Sequence, residues 1–385
     1  MAGYVFLSNS SKPSKEEQMS RKNVKLTNVN KPCLKTALNM GYEVWLGINR
    51  ESPENLECEL PVHLYDSHTY RSIFNLKDNI IAYKNLMKIL KKNNIEVIHC
   101  NTPIGGVIGR FCGKRAGIKK VIYTAHGFHF YKGAPLINRT FFKWAEMFMS
   151  HWTDAIITMN KEDYEAAKMF RLKKGGKVYY TPGVGIDSEK YRDTIVDKNQ
   201  LRTILGLHEN DIVCISMGDL IVRKNYGIAI KAIAKCKSNK IHYLICGTGP
   251  ELRNLQNLAK EQGVDDRIHF LGFRTDIKEL LKISDIFLFT TLQEGMPRSM
   301  MEAMSSGLPC IASKIRGNID LLEDGKGGYL VEVDNDYQIS CKLNELANNP
   351  ELRMKISQEN LERIKRFDVK EVEKIIYNIY SDILK

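Results

Sequence analysis

The chain has 385 residues, of which 43% are hydrophobic, and this is long enough for two or three domains with separate cores. The apolar run at residues 4–7 is too short for a signal peptide, and no window of about 18 apolar residues predicts a membrane-spanning helix. The nine cysteines include no Cys-x-x-Cys pair. We therefore expect a cytoplasmic globular protein with buried thiols, rather than one with disulfides or metal-binding cysteines.

The formal net charge of +12 is confined to the first half of the chain. Residues 1–187 hold 28 Lys and Arg against 16 Asp and Glu, whereas residues 188–385 hold 29 of each kind. A basic half indicates an anionic partner, for which a phospholipid surface, an anionic acceptor and a nucleic acid are the alternatives. Solvated surface lysines without any partner are the remaining interpretation.

Short apolar runs alternate with helical patterns along the chain, which predicts parallel β-sheets wrapped by α-helices. The predicted strands are residues 4–7, 43–48, 97–100, 121–124, 155–159 and 178–181 in the first half, and 212–217, 242–246, 268–271, 286–289 and 310–312 in the second. The turn-rich stretch at 181–187 separates the two series. We therefore predict two doubly wound α/β domains, at 1–188 and 189–366, followed by an amphipathic helix within 367–385.

In the first half, His126 ends a predicted strand, although a lone histidine is more often structural. Residues 99–106 also end a strand and open a helix with Gly105 and Gly106. We interpret Thr102 and these glycines as acceptor contacts, with tight helix–sheet packing at the glycines as the alternative. A second group of acceptor contacts is predicted where Asn9 and Ser10 open the loop 9–31. This loop is far longer than the usual 4–6 or so residues, so a mobile lid or a disordered segment is the alternative.

Residues 135–152 contain seven large aromatic or methionine side chains, the last of which is Trp152. Arg139 and Lys143 lie among them. An aromatic and basic helix of this kind can lie in a membrane interface. A helix packed on the sheet is the alternative, and both hold if one face packs and the other contacts lipid.

In the second half, Arg223 and Lys224 follow the strand 212–217, at the end where open α/β sheets bind ligands. They could neutralise a diphosphate as its charge develops, although two solvated cations are the alternative. The glycine turn at 247–250 lacks the third glycine of a dinucleotide-binding fingerprint, so by itself it is a weak signal.

Residues 294–302 place two carboxylates around the start of a predicted helix, whose first helical position suits Pro297. The N–H groups of residues 298–300 have no partner within such a helix, and together with the helix dipole they favour a phosphate. Glu294 and Glu302 could then accept hydrogen bonds from hydroxyl groups on either side of a diphosphate, as in a nucleotide sugar. An ordinary surface helix with two solvated glutamates is the alternative.

The stretch EGMPRSMMEAMSSGLPCIAS, residues 294–313, resembles the signature of the retaining glycosyltransferases of family 4, in which two glutamates are separated by seven residues. The resemblance covers residues 41–368 and implies that Glu294 contacts the sugar hydroxyls and Glu302 the ribose. It also implies that His126 faces the donor sugar. Lys224 matches the lysine of the family. Asp219 stands where many members have an arginine, as in a subgroup for capsule and exopolysaccharide synthesis that this chain resembles, and whether Arg223 replaces that charge stays open.

The resemblance further implies a GT-B fold, in which two Rossmann-like domains face each other across a cleft and the carboxyl-terminal helix crosses back onto the first domain. It implies no metal and no cofactor, so Asp334-Asn335-Asp336 is predicted to be a solvated loop although it looks like a metal-binding Asp-x-Asp motif. Together with the anion-site argument, the resemblance implies additional donor contacts at Gly249, Phe273, Arg274, Gly295, Met296, Pro297, Arg298 and Ser299.

These patterns and the resemblance predict a retaining, metal-independent glycosyltransferase that uses a nucleoside-diphosphate sugar, in the first place a UDP-sugar. The subgroup implies a polyprenyl-diphosphate-linked acceptor at the inner face of the membrane, with peripheral contact through the basic half and no nucleic acid. The predicted catalytic residues are His126, Lys224 and Glu294. The alternatives are a UDP-sugar epimerase of the same fold and a non-catalytic basic protein that binds membrane or nucleic acid.

Overall fold

The computed structural model describes residues 1–10, 23–24, 26–50, 53, 56–70 and 75–384. It divides into two units, one made of Met1–Gly185 with Lys370–Lys385 and the other of Ile186–Val369. The division falls close to residue 188, where the turn-rich stretch predicted a boundary. Most of the loop predicted at 9–31 lies outside the described residues.

The first unit is built on a seven-stranded parallel sheet with the order β5-β3-β1-β6-β7-β8-β9. Its strands are β1 (Gly3–Leu7), β2 (Asn23–Val24), β3 (Glu43–Ile48), β4 (Glu57–Cys58), β5 (His63–Asp66), β6 (Ile95–Asn101), β7 (Lys120–Ala125), β8 (Ala155–Thr158) and β9 (Lys177–Tyr180), of which β2 and β4 pair separately. Its helices before the division are α1 (Lys31–Asn39), α2 (Leu76–Lys92), α3 (Pro103–Ala116), α4 (Lys143–Ser150) and α5 (Lys161–Lys168), and a π-helical segment (Asn138–Phe142) precedes α4.

The second unit contains a six-stranded parallel sheet with the order β12-β11-β10-β13-β14-β15. The strands are β10 (Ile212–Met217), β11 (Ile241–Cys246), β12 (Ile268–Gly272), β13 (Ile286–Phe289), β14 (Cys310–Ser313) and β15 (Gly328–Val331). The helices are α6 (Ser188–Arg192), α7 (Lys198–Ile204), α8 (Tyr226–Ala234), α9 (Leu252–Glu261), α10 (Ile277–Ile283), α11 (Arg298–Ser305), α12 (Asn318–Leu321), α13 (Asp336–Ala347) and α14 (Pro350–Ile364), with 3-10 turns at Val222–Lys224 and Lys365–Phe367.

Both sheets are parallel because their central strands are nearly continuous apolar runs, which must be covered on both faces. Strands β1, β8, β13 and β14 are buried along their whole length. The two Rossmann-like units that the alternating pattern predicts are therefore confirmed. The sequence pattern did not predict strand β5, because it is a short edge strand with partly exposed side chains. Among the described strands it pairs only with β3.

The last helix, α15 (Val369–Leu384), packs on the sheet of the first unit. Its buried residues Val372, Ile376, Ile379, Tyr380 and Ile383 share a core cluster with Tyr4 and Phe6 of β1. The spacing of these residues is the one that predicted an amphipathic helix, and the predicted return of this helix to the first domain is confirmed. Among the described residues, no helix has both the length and the apolar character needed to cross a membrane.

Candidate functional site

The sheet of the second unit has a topological switch point between β10 and β13. From β10 the chain continues to β11 on one side, whereas β13 lies on the other side and leads to β14. Open α/β sheets bind ligands in the crevice at the carboxyl ends of such a strand pair. The segments that leave these two ends are residues 218–225 and residues 290–297, which contain half of the predicted donor-binding residues.

Three donor groups converge on one carboxylate oxygen at this edge. Glu294 Oε1 lies 2.8 Å from Lys224 Nζ, 2.9 Å from Arg223 Nη1 and 3.0 Å from Thr291 Oγ1. The side chains of Glu294 and Lys224 are largely buried, and Lys224 Nζ also lies 5.1 Å from the centre of the Phe289 ring. Two cations around one carboxylate leave one positive charge among these three side chains, and Asp219 adds a second carboxylate to the same loop. The structure therefore brings Arg223, Lys224 and Glu294 together, with Lys224 largely buried and the Arg223 side chain 41% exposed.

Hydrogen bonds between the two loops fix this arrangement. The N–H of Leu292 donates to the carbonyl of Arg223 over 2.9 Å, and Thr290 Oγ1 donates to the carbonyl of Asn225 over 2.9 Å. Asn225 has a φ of 51°, a left-handed conformation that asparagine tolerates better than most residues. The sequence analysis missed Thr291, for which a hydroxyl directly after a buried strand was the available signal.

Helix α11 begins at Arg298, and Pro297 is its N-cap rather than its first helical residue. This corrects the predicted position of Pro297, whose ψ of 112° is extended. The carbonyl of Pro297 accepts the first helical bond, from Met301 N over 3.3 Å, so the N–H groups of residues 298–300 precede the helical ladder. Within the described part of the chain, no side chain caps this end. The free N–H groups and the helix dipole that predicted a phosphate site at Arg298 and Ser299 are therefore present.

Glu302 lies one turn into α11 and is held by two donors. Its Oε1 accepts hydrogen bonds from Tyr191 Oη over 2.8 Å and from Arg298 Nε over 3.0 Å. Tyr191 belongs to α6 and is almost buried, and burial together with the nearby carboxylate raises the pKa of its phenol. Tyr191 thus stays a neutral donor that orients Glu302. No sequence signal pointed to it, because the two residues are 111 positions apart.

The predicted glycine turns differ in what surrounds them. A Cβ on Gly249 would lie 2.3 Å from the carbonyl oxygen of Leu220, so close packing of two loops already requires this glycine. Phe273 is 78% exposed, and Arg274 Nε donates to Asp276 Oδ1 over 2.8 Å. Contacts of Gly249, Phe273 and Arg274 with a nucleotide stay predictions.

In the first unit, His126 follows β7 and its Nε2 lies 3.0 Å from Asn101 Oδ1. Burial lowers the pKa of His126 to about 4, so its imidazole is neutral near pH 7. The sequence analysis missed Asn101, which is buried at the end of β6. The role of His126 toward a sugar stays a prediction.

The predicted acceptor residues gather at the carboxyl ends of β1 and β6. Thr102 has a φ of 64°, and its Oγ1 accepts a hydrogen bond from the N–H of Asn9 over 2.9 Å. Ser10 Oγ accepts from Asn49 Nδ2 over 2.8 Å. A Cβ on Gly106 would lie 2.4 Å from Tyr123, and one on Gly105 would lie 3.2 Å from Ser8, so helix–sheet packing accounts for Gly106. Acceptor binding by these residues stays a prediction.

The described residues contain no group of three or more His, Cys, Asp or Glu side chains arranged to hold a metal ion. Asp334 Oδ1 accepts a hydrogen bond from Asn225 Nδ2 over 2.8 Å, and Asp336 pairs with Lys235 over 2.6 Å. These two carboxylates are therefore engaged at the protein surface.

Comparison with solved structures defines the class of protein to which this fold belongs. HepE of Anabaena, solved in complex with UDP and glucose, superimposes with a TM-score of 0.77 at 20% identity, over 99% of this chain and 100% of HepE. Sucrose-phosphate synthase of Thermosynechococcus elongatus gives a TM-score of 0.80 at 16% identity, over 99% of each chain. The fold is that of the GT-B glycosyltransferases.

Sequence comparison then identifies the family. Residues 197–363 match the model described as glycosyl transferases group 1, and residues 23–160 match the model described as glycosyl transferase 4-like. EpsD of Bacillus subtilis, which carries the name of a glycosyltransferase, is 31% identical over 91% of this chain and 93% of its own length. An Escherichia coli α-1,3-galactosyltransferase, named for UDP-Gal and GlcNAc-diphosphoundecaprenol, is 33% identical over 69% of each. The chain belongs to the glycosyltransferases, and its second half matches their group 1 model.

Proposed function

We propose that this glycosyltransferase is a retaining, metal-independent enzyme of family 4. It transfers the sugar of a UDP-sugar donor to a polyprenyl-diphosphate-linked saccharide. The observation that carries the proposal is the arrangement of Lys224, Arg223 and Glu294 beside the uncapped start of α11, with Glu302 one turn further on. Two of the similar proteins support the choice of substrates. HepE was solved with UDP and glucose, and the Escherichia coli relative is named for a UDP-sugar donor and an undecaprenol-linked acceptor.

In this proposal the diphosphate binds at the N-terminus of α11 and meets the charges of Arg223 and Lys224. Negative charge grows on the β-phosphate as the bond to the sugar breaks, so fixed donors stabilise the transition state more than the ground state. Glu294 orients the sugar hydroxyls and Glu302 the ribose. The acceptor hydroxyl attacks an oxocarbenium-like sugar on the face that the phosphate leaves, and its proton passes to the departing phosphate.

Two substitutions test the division of labour between the glutamates. Glu302→Ala removes a charged hydrogen-bond acceptor, so we expect UDP to bind about 10- to 100-fold more weakly. Glu294→Ala should chiefly lower kcat for transfer. Calorimetric titration with UDP and initial rates with UDP-sugars measure the two effects, and Glu261→Ala, an exposed glutamate at the end of α9, is the matched control. Unchanged binding and unchanged rates in both variants would exclude this site.

A thermal-shift series with UDP, GDP, ADP and their sugars identifies the nucleotide. We expect UDP and UDP-sugars to stabilise the protein more than the others, because a ligand that binds only the folded state raises Tm. An epimerase would convert a UDP-sugar without any acceptor, whereas a non-catalytic basic protein would show no nucleotide stabilisation.

We also propose peripheral contact between the first unit and an anionic membrane. The π-helical segment, the two residues before it and α4 expose the apolar side chains of Leu136, Ile137, Phe141, Trp144, Met147 and Phe148. Arg139 and Lys143 are exposed within the same stretch. Single exposed apolar residues are ordinary on protein surfaces, but a continuous group of this kind marks an interaction site. The basic residues beside it favour anionic lipid as the partner.

A further inference from the structure

The segment after β14 packs directly against the turn that carries Glu294. Arg316 is only 4% exposed, and its Nε donates to the carbonyl oxygen of Glu294 over 3.2 Å. Gly317 has a φ of 78°, and a Cβ there would lie 2.4 Å from the carbonyl oxygen of Gly295. Asn318 Nδ2 donates to the carbonyl of Ser313 over 2.8 Å, which ties the segment to the end of β14.

Glu294 is consequently held at two places. Its carboxylate takes hydrogen bonds from residues of the β10 and β13 loops, whereas its carbonyl takes one from Arg316. Two successive peptides of this turn are therefore restrained, because the guanidinium binds the carbonyl of Glu294 and the backbone of Gly317 lies against the peptide that links Gly295 to Met296.

We propose that Arg316 is a positioning residue for sugar transfer, which fixes the backbone of Glu294 so that the carboxylate meets the donor sugar in a productive orientation. The inference rests on the proposed function and adds a residue that it did not include. It predicts that Arg316 acts on the sugar end of the donor and leaves the nucleotide end unaffected. Glu302, which would hold the ribose, has its own donors in Tyr191 and Arg298.

Kinetics and binding of Arg316 variants test the inference. Arg316→Met keeps the length of the side chain but removes the donor, so we expect kcat for transfer to fall on the order of a hundredfold, as small misplacements of catalytic groups do. The affinity for UDP should stay within about threefold. Arg316→Lys retains one donor and should recover part of the rate. Gly317→Ala, whose Cβ would displace the next peptide of the same turn, between Gly295 and Met296, should reproduce the loss.

The control is Arg363→Met. The Arg363 side chain also donates to backbone carbonyls, those of Leu321 and Asp320 at the far end of α12. We expect Arg363→Met to lower Tm but not to lower kcat selectively over the affinity for UDP. The reason is that Arg363 contacts none of the site residues named above.

A double-mutant cycle between Arg316→Met and Glu294→Gln separates positioning from general structural support. If Arg316 acts through Glu294, the second substitution should cost far less in the background of the first. Additive losses, or a parallel fall in turnover, UDP affinity and Tm as in a structural variant, would overturn the inference. If UDP stabilises the wild-type protein but the protein transfers no sugar, the proposed function is overturned as well. If the wild type transfers sugar and Arg316→Met has an unchanged kcat, the inference alone is overturned.

Discussion

At the scale of single residues, the second unit sorts its two candidate glutamates by their partners. Glu294 meets two cations and a hydroxyl, whereas Glu302 meets a buried phenol and one guanidinium. The first environment has excess positive charge and suits a group next to a diphosphate. The second is close to neutral and leaves lone pairs of the carboxylate for hydroxyl groups. The different roles proposed for the two residues follow from these surroundings.

Tyr191 offers a test of the Glu302 environment. Tyr191→Phe removes the hydrogen bond to Glu302 and little else, so we expect UDP affinity to fall about three- to tenfold while kcat stays near its original value. Titration calorimetry with UDP measures the effect. Tyr337→Phe, at an exposed tyrosine of the same unit, should leave the affinity unchanged. Equal affinities for the two variants would mean that Tyr191 does not orient Glu302.

A buried histidine, His99, and a partly buried one, His126, make the first unit sensitive to acid. Burial lowers the pKa of His99 to about 3 and that of His126 to about 4. Both stay neutral in the folded state while the unfolded chain takes up protons below about pH 6.5. Stability should therefore be complete above that pH and decline as the pH falls toward 4, by a few kcal/mol in total.

Urea unfolding, monitored by a signal from the first unit at a series of pH values between 7 and 4, checks this prediction. His99→Gln should lower stability at pH 7, because His99 bonds Tyr380 and Thr124, but its stability should depend less on pH. A slope as steep as that of the wild type would show that His99 does not cause the acid sensitivity.

At the scale of elements, α15 shows how a distant segment completes a core. The helix is amphipathic by sequence, yet only the folded chain shows that its apolar face covers β1 and its neighbours. A polar contact sits inside this interface, where Tyr380 Oη lies 2.6 Å from Tyr4 Oη and also bonds His99 Nδ1. Burying these hydroxyl groups without partners would be costly, so the contact helps to select this packing.

Substitutions in α15 should destabilise the first unit. Ile379→Ala leaves a cavity and should cost about 2–4 kcal/mol of unfolding free energy, whereas Tyr380→Phe should cost about 1–2 kcal/mol through the lost hydrogen bonds. Tyr377→Phe is the control on the same helix, since Tyr377 is half exposed. Denaturant unfolding measures all three variants, and equal stability of Ile379→Ala and wild type would contradict the packing described here.

At the scale of the whole molecule, charge and apolar exposure coincide in the first half of the chain. The excess of Lys and Arg belongs to residues 1–187, which also carry the exposed aromatic stretch around α4. The second unit, whose charges balance, carries the proposed nucleotide site. This distribution favours a division in which one unit meets a lipid-linked acceptor at a membrane surface and the other binds the soluble donor.

Membrane contact can be tested with vesicles. We expect the protein to float with vesicles that contain anionic phospholipid and to bind zwitterionic vesicles or high-salt samples more weakly. Phe141→Ser with Trp144→Ser should reduce binding by about tenfold, since two exposed aromatic rings no longer enter the interface. Tyr337→Ser with Met354→Ser removes comparably exposed side chains from the second unit and is the control. Equal losses in the two double variants would count against a specific membrane surface.

The two parallel sheets, the amphipathic character of α15 and the free N–H groups at the start of α11 were all predictable from the sequence. These features depend on local patterns: buried runs, helical spacing, and an uncapped helix end between two acids. The sequence also indicated Arg223, Lys224, Glu294 and Glu302, because each lies in a segment that follows a recognisable strand or opens a recognisable helix.

The side chains that support these residues could be identified only in the folded chain. Thr291 is only 3 positions from Glu294 in the sequence. By contrast, 111 positions separate Tyr191 from Glu302, and 25 positions separate Asn101 from His126. Arg316 lies 22 positions beyond Glu294, on the loop of the neighbouring strand. A parallel sheet brings the carboxyl ends of its strands to one edge. Such partners are therefore close in space although they are far apart in the sequence. No local pattern records a contact that exists only after the strands have paired.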